Sequence, residues 1–176
     1  GARIHLRFPS VGATENVLLA AVTASGETTI SNAAREPEIV LLCEFFRRAG
    51  ARIRGIGSGA LVIEGVKKLH EVTMTIMPDR IVAGTYLLAA VITRGQIVLK
   101  NAPSAQLHSL IGLLREMGAV VFVDDDIIYI DAEEATEPVP YVRTGVYPGF
   151  PTDLQSMLLA VLSVARGDSV VEEMIF

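Results

Sequence analysis

A block of this chain recurs. Leu18-Leu19-Ala20-Ala21-Val22 returns as Leu87-Leu88-Ala89-Ala90-Val91, Gly26 as Gly95, and Asn32-Ala33 as Asn101-Ala102. The spacing holds at 69 positions (18 to 87, 26 to 95, 32 to 101), then falls to 68 where Gly50-Ala51 returns as Gly118-Ala119 (50 to 118). A third copy opens near Thr152, where Leu158-Leu159-Ala160-Val161 leads to Gly167. Repeats of this length are supersecondary units rather than small solenoid modules. Whatever the chain folds into must therefore be built from copies of one unit.

Each copy reads the same way. An apolar helix is predicted over 13–25, 81–94 and 152–166, with Gly26, Gly95 and Gly167 placed to end these helices in a left-handed conformation. A short β-branched strand follows, at 28–31, 97–100 and 169–172. An amphipathic helix comes next, 37–49 or 104–117, ended by Gly50 or Gly118. Two strands close the unit, 51–56 with 60–64 and 119–123 with 127–131, joined by Gly57-Ser58-Gly59 or Asp124-Asp125-Asp126. The first helix of each unit is apolar nearly all round and should be buried, whereas the second carries Glu44, Arg47 and Arg48 and should face water. Two kinds of helix per unit, with a strand entering each, predict an α/β fold in which sheets enclose a core of buried helices.

Composition narrows the function. Charged residues make up 20% of the chain and the formal net charge is −5, with no basic stripe, so nucleic acid is not an expected partner. The apolar runs, such as Leu87–Ile92, fall short of the ~20 residues that cross a bilayer, and no signal peptide opens the chain. A cytoplasmic protein with no membrane partner is expected. The one cysteine, Cys43, excludes an internal disulfide and a Cys-based metal cluster, and reads as a small buried apolar residue in the helix around it. The start at Gly1 and the end on Met174-Ile175-Phe176, inside a strand-like pattern, suggest a piece of a longer protein.

The apolar helices all begin with polar or breaker residues: Pro9-Ser10-Val11-Gly12, Pro78-Asp79-Arg80, and Pro148-Gly149-Phe150-Pro151-Thr152-Asp153. Ser10, Asp79 and Thr152 are suitable N-caps, and Thr152 with Gln155 has the spacing of a capping box. Asp153 would lie in a first turn, where a carboxylate suits the helix dipole. If repeated units pack side by side, their helix N-termini converge and their free N–H groups form an anion site, and Gly12 would let a ligand come close to the backbone. That expectation is a phosphorylated ligand, without a particular reaction.

Several blocks carry more. Phe8-Pro9-Ser10-Val11-Gly12-Ala13-Thr14-Glu15-Asn16, Asn32-Ala33-Ala34-Arg35-Glu36-Pro37-Glu38-Ile39-Val40, Pro78-Asp79-Arg80-Ile81, Tyr147-Pro148-Gly149-Phe150-Pro151-Thr152-Asp153-Leu154-Gln155 and Glu173-Met174-Ile175-Phe176 occur in this order from end to end. Together they resemble the signatures of UDP-N-acetylglucosamine enolpyruvyl transferases, in the EPSP synthase superfamily. The resemblance implies an inside-out α/β barrel built of repeated βαβαββ units, present here incompletely. Residues 1–77 would be the last unit of one barrel domain, and 78–176 one unit plus the start of another in the second, with the active site in the cleft between domains.

The resemblance also implies a reaction. Enolpyruvyl would move from phosphoenolpyruvate to the 3′-hydroxyl of UDP-N-acetylglucosamine by addition and then elimination of phosphate, with no metal or organic cofactor, at the first committed step of peptidoglycan precursor synthesis. Such a step serves cell-wall biogenesis, cell shape and division. Asp153 matches the carboxylate that acts as general base. Ser10, Val11 and Gly12 match the loop at the diphosphate, Ile175 a backbone contact to the nucleotide sugar, and Thr152 a residue lining the site. Arg35, Glu36, Glu38, Asp79 and Arg80 would support it.

The family's proton-donating Cys, its Lys-Asn pair and several arginines would lie outside this segment, and Cys43 is not that Cys. The 176-residue chain alone is therefore expected to be inactive, and its apolar faces to self-associate. Val82 and Leu41 stand where the family often has an acid, and Phe8 where it sometimes has a base. Other readings are an enolpyruvyl transferase acting on shikimate 3-phosphate, a non-catalytic ligand-binding module, and a relative of RNA 3′-phosphate cyclases. The acidic charge and the absence of a histidine nucleophile motif, with His5, His70 and His108 standing apart, oppose the last.

Overall fold

A computed structural model describes residues 1–176, and the recurring sequence block carries a recurring backbone. Gly50 and Gly118 both have φ +98°, in the left-handed region where a Cβ is strained. Gly50 N–H donates to the Arg47 carbonyl and Ala51 N–H to Phe46 (3.1 and 2.9 Å), while Gly118 N–H donates to Arg115 and Ala119 N–H to Leu114 (3.0 Å each). These paired bonds form a Schellman cap, and the repeat places the same one at the end of each amphipathic helix. Asn32 and Asn101, also equivalent, share a left-handed backbone at φ 57° and 54°.

The chain divides into two compact units, Gly1–Ile76 and Met77–Phe176. The first runs β1 (Arg3–His5), α1 (Val11–Ala21), β2 (Glu27–Ser31), α2 (Pro37–Arg48), β3 (Arg52–Arg54) and β4 (Ala60–Glu64). Its sheet has the order β1-β2-β4-β3, with β1 parallel to β2 and the other pairs antiparallel. Alternation along the strands turns Thr28 and Ile30 of β2, Ile53 of β3, and Leu61 and Ile63 of β4 inward, against Leu18 and Ala21 of α1 and Ile39, Cys43 and Phe46 of α2. The opposite sheet face carries the ion pairs Arg52–Glu64 (2.5 Å) and Arg54–Glu27 (2.8 Å).

The second unit runs α3 (Arg80–Thr93), β5 (Gln96–Leu99), α4 (His108–Glu116), β6 (Val120–Asp124), β7 (Ile127–Asp131), β8 (Tyr141–Arg143), α5 (Gln155–Leu162) and β9 (Val170–Glu172). Strands β5-β7-β6 form an antiparallel sheet, and β8 pairs with β9 in parallel, as β1 does with β2. Its core gathers Leu87, Leu88 and Val91 of α3, Leu110 and Leu114 of α4, Ile128 and Ile130 of β7, and Leu154, Leu158 and Val161.

The elements fall near the predicted positions, with differences that have local causes. Helix α1 starts two residues early and ends at Ala21 because the Val22 carbonyl accepts Val66 N–H (2.9 Å) and so leaves the helical ladder. The expected stop at Gly26 is therefore wrong: Gly26 (φ +85°) instead turns the chain into β2. At the end of α3 the left-handed residue is Arg94 (φ 53°), one place before Gly95. Helix α5 stops at Leu162, and Gly167 lies in the turn towards β9 after Arg166 N–H has been diverted to the Thr136 carbonyl (2.7 Å). The helix expected from Ser104 opens as a 3-10 turn, Ser104–Gln106, and breaks at the buried Leu107 before α4.

Within these 176 residues the apolar helices are not equally buried. Leu18, Leu87 and Leu158 occupy equivalent positions and each is 0% exposed. One residue on, Leu88 is 1% exposed, while Leu19 and Leu159 are 50% and 46% exposed. Helix α3 packs against both α4 and α5, whereas the main helix neighbour of α1 is α2.

Candidate functional site

The expected site residues fall into two groups, one in each unit. In the first unit, Ser10 caps α1, its Oγ accepting Ala13 N–H at 3.2 Å. The first i to i−4 bond of the helix is Thr14 N–H to the Ser10 carbonyl (3.0 Å), so the N–H groups of Val11 and Gly12 precede the ladder. Gly12 is exposed, and a Cβ built there would meet nothing within 4 Å. Space at Gly12 is left by the protein itself and is open to a ligand.

Thr14, fully buried, ties this helix start to the segment after β2. Its Oγ1 donates to the Ser10 carbonyl (2.8 Å) and accepts Ala34 N–H (3.0 Å). Arg35 follows, exposed, then Glu36, buried at the start of α2, and Glu38, half-buried in its first turn. Two stretches twenty residues apart in the chain are thus held together by one hydroxyl. Nothing in the local pattern singled out Thr14, because its role depends on a partner in another element.

In the second unit, Asp79 is an N-cap, its Oδ1 accepting Ile81 N–H (2.7 Å) and Val82 N–H (3.2 Å). Arg80 is buried, its guanidinium 5.6 Å from the centre of the Tyr147 ring, a cation–π distance. Thr152 does not cap a helix as expected. It begins a 3-10 turn, Thr152–Leu154, whose cap position is Pro151 and has no side-chain bond. The Thr152 hydroxyl is drawn away to Glu173 Oε2 at 2.8 Å, so the T-x-x-Q spacing has no capping box behind it.

Glu173 is the centre of this group. Its Oε1 accepts the Thr144 hydroxyl (2.8 Å) and Ile175 N–H (2.7 Å), and the Thr144 hydroxyl in turn accepts Met174 N–H (2.8 Å). Desolvation would raise the Glu173 pKa, but the bonds from Ile175, Thr152, Thr144 and Phe176 outweigh it and leave the carboxyl below its ordinary value. Glu173 is therefore a committed acceptor and a poor base. Asp153, one residue from Thr152, is exposed, and an exposed carboxylate is available to take a proton from a bound hydroxyl. Thr144 was not legible as a site residue, and Tyr147 only as part of a signature block, since their partners lie 29 and 67 positions away.

The remaining candidates are quiet. Cys43 is 0% exposed, and burial, followed by the charge of Glu44, pushes its thiol up to about 11. His5 pairs with the Ser31 hydroxyl (3.0 Å) and His70 with the Glu71 carbonyl (3.1 Å). No group of three or more His, Cys, Asp or Glu side chains is arranged to hold a metal ion, and no helix is long and apolar enough to cross a membrane.

The family model for EPSP synthase (3-phosphoshikimate 1-carboxyvinyltransferase) matches residues 1–176. The chain belongs to the EPSP synthase family. Relatives in that family include UDP-N-acetylglucosamine 1-carboxyvinyltransferase 2 of Caldanaerobacter subterraneus subsp. tengcongensis, 52% identical over 176 residues. Another, the UDP-N-acetylglucosamine 1-carboxyvinyltransferase of Finegoldia magna, is 46% identical over 178 residues. In both cases 100% of this chain is covered, and it spans 42% of the relative's length. Among solved structures, the enolpyruvyl transferase NikO from Streptomyces tendae superposes with a TM-score of 0.81 at 25% identity, covering 98% of this chain and 44% of that one. An EPSP synthase from Acinetobacter baumannii gives 0.61 at 20% identity over 97% of this chain and 40% of its own, a likeness of fold alone. The αβαββ units seen here are thus part of the inside-out α/β barrel architecture of the EPSP synthase family.

Proposed function

We propose that this chain forms part of a UDP-N-acetylglucosamine enolpyruvyl transferase, with residues 1–77 finishing one barrel domain and 78–176 beginning the other. The observation that carries the reading is the exposed Asp153 carboxylate beside a Thr152 hydroxyl held by Glu173, in a chain similar along its whole length to proteins named for that activity. Asp153 takes the proton of the sugar 3′-hydroxyl as its oxygen adds to C2 of phosphoenolpyruvate, while the methylene carbon takes a proton from an acid outside this segment. A methyl proton is then lost as phosphate leaves, which restores the double bond on the transferred group. Val11 and Gly12, behind the Ser10 cap, offer backbone N–H groups to the diphosphate at the start of α1, and Ile175 meets the nucleotide sugar through its backbone. Arg35, Glu36, Glu38, Asp79 and Arg80 hold the surrounding segments. The reaction belongs to peptidoglycan precursor synthesis in the cytoplasm and uses no metal or organic cofactor.

Titration with UDP-N-acetylglucosamine, followed by backbone amide NMR, tests the assignment. Shifts at Ser10–Gly12, Thr152–Asp153 and Ile175 are expected, with shikimate 3-phosphate unable to compete. Displacement by shikimate 3-phosphate, or shifts confined to other regions, would overturn it.

A further inference from the structure

The functional reading uses Thr152, Asp153 and Ile175 but gives no role to the side chain that joins them. We propose that Glu173 is a positioning residue, a clamp that fixes the Thr152–Asp153 turn and the Ile175 N–H in one geometry for the nucleotide sugar. The clamp rests on that functional reading for its ligand, and on the structure for its geometry.

Three separate pieces of chain meet at this carboxylate: the residue after β8, the turn before α5, and the segment after β9. Thr144 follows β8, and its backbone N–H donates to the Glu172 carbonyl at 3.0 Å. Thr144 is 2% exposed. Its hydroxyl has no freedom left, since it donates to Glu173 Oε1 and accepts Met174 N–H, at 2.8 Å each. Thr152 donates to Oε2 at 2.8 Å, and Ile175 N–H returns to Oε1 at 2.7 Å. The three contacts to Glu173 all come from donors, and an ionised carboxylate, which only accepts, suits them. The hydrogen bonds that keep the Glu173 carboxyl acidic are these same contacts.

A turn on the surface fixes its own side chains poorly. Asp153 lies in a three-residue 3-10 turn without a side-chain cap, so its placement depends on what holds the neighbouring Thr152. Glu172, the adjacent carboxylate, does different work: it faces Tyr141 and Arg143 across the β8–β9 pair, away from the clamp.

The test compares the 176-residue chain with Glu173→Ala, Glu173→Gln and, as a control, Glu172→Gln, by amide NMR with and without UDP-N-acetylglucosamine. Without ligand, Glu173→Ala is expected to shift Thr152, Asp153 and Ile175 together and to speed exchange of the Met174 and Ile175 amides. Glu172→Gln should leave them in place. With ligand, Glu173→Ala is expected to raise Kd about tenfold or more, since hydrogen bonds to a charged group are lost. Glu173→Gln keeps one acceptor oxygen and should fall between. Should Glu173→Ala lose its fold by circular dichroism, Glu173→Gln against Glu172→Gln decides the question. Wild-type affinity in both Glu173 variants overturns the clamp and leaves the functional reading standing. Should the wild-type chain take no nucleotide sugar, the same titration of the full-length protein tests the functional reading, and the ligand-free shifts alone decide the clamp: concerted movement supports it and independent movement ends it.

Discussion

Single side chains in this molecule differ most in what their protons do. Glu173 has its carboxyl pKa lowered from the ordinary 4.5 by hydrogen bonds that outweigh desolvation. A group depressed on folding contributes stability above its unfolded pKa and loses it as pH falls through the folded value. Chemical melts of wild type and Glu173→Gln are therefore expected to differ at neutral pH and to converge below about pH 4.5, within the window set by that shift. A difference that persists unchanged into acid would contradict the assignment. Cys43 shows the opposite behaviour. Burial first, and Glu44 second, hold its thiol at about 11, so thiolate-directed reagents at pH 8 should leave the native chain unlabelled and react once denaturant unfolds it. Rapid labelling of native protein would mean that the helix around Cys43 opens locally. The capping residues are open to test as well. Replacing Asp79 by Ala removes an acceptor for Ile81 and Val82 N–H, an expected loss of about 0.5–2 kcal/mol in a denaturant melt.

At the scale of elements, the repeat makes sharper comparisons possible. Gly84 lies within α3 and is buried, and a Cβ there would come 2.6 Å from Leu154 Cδ1 and 3.1 Å from Leu110 Cδ2. Alanine in a helix interior gains about 1 kcal/mol over glycine. Overpacking a filled core costs about 1–3 kcal/mol, and Leu154 and Leu110 are both 0% exposed with little room to yield. The second effect wins, so Gly84→Ala is expected to lower stability by up to about 2 kcal/mol; a rise would show that Leu154 can move aside. Gly12→Ala makes the contrast, because its Cβ meets nothing. Both helix types were legible from periodicity, and so were the Schellman glycines Gly50 and Gly118, since a left-handed cap leaves a glycine at a fixed place. The stops of α1 and α5 were not. They depend on Val66 N–H and on the Thr136 carbonyl, which reach in from elsewhere in the chain, and no local rule anticipates a partner at that distance.

Across the whole molecule, the apolar helix faces are the feature with consequences in solution. Leu19 on α1, Val82 and Tyr86 on α3, and Leu159 on α5 are between 46% and 59% exposed. Apolar surface of this kind tends to be covered, so light scattering is expected to show a mass that rises with concentration above the 18.9 kDa of one chain. A monodisperse species at that mass would contradict this. The repeat itself determined the unit, its order of helices and strands, and its fold class, because apolar periodicity and glycine placement act within a few residues and survive duplication. The helix starts at Ser10 and Asp79 were legible for the same reason. Only the tertiary structure decided that Leu88 is enclosed while its equivalents Leu19 and Leu159 are not, since that depends on which neighbours flank each copy. It decided too that the Thr152 hydroxyl serves Glu173 rather than a helix end, because a carboxylate brought in from beyond β9 is a stronger acceptor partner than the role its own sequence spacing suggested.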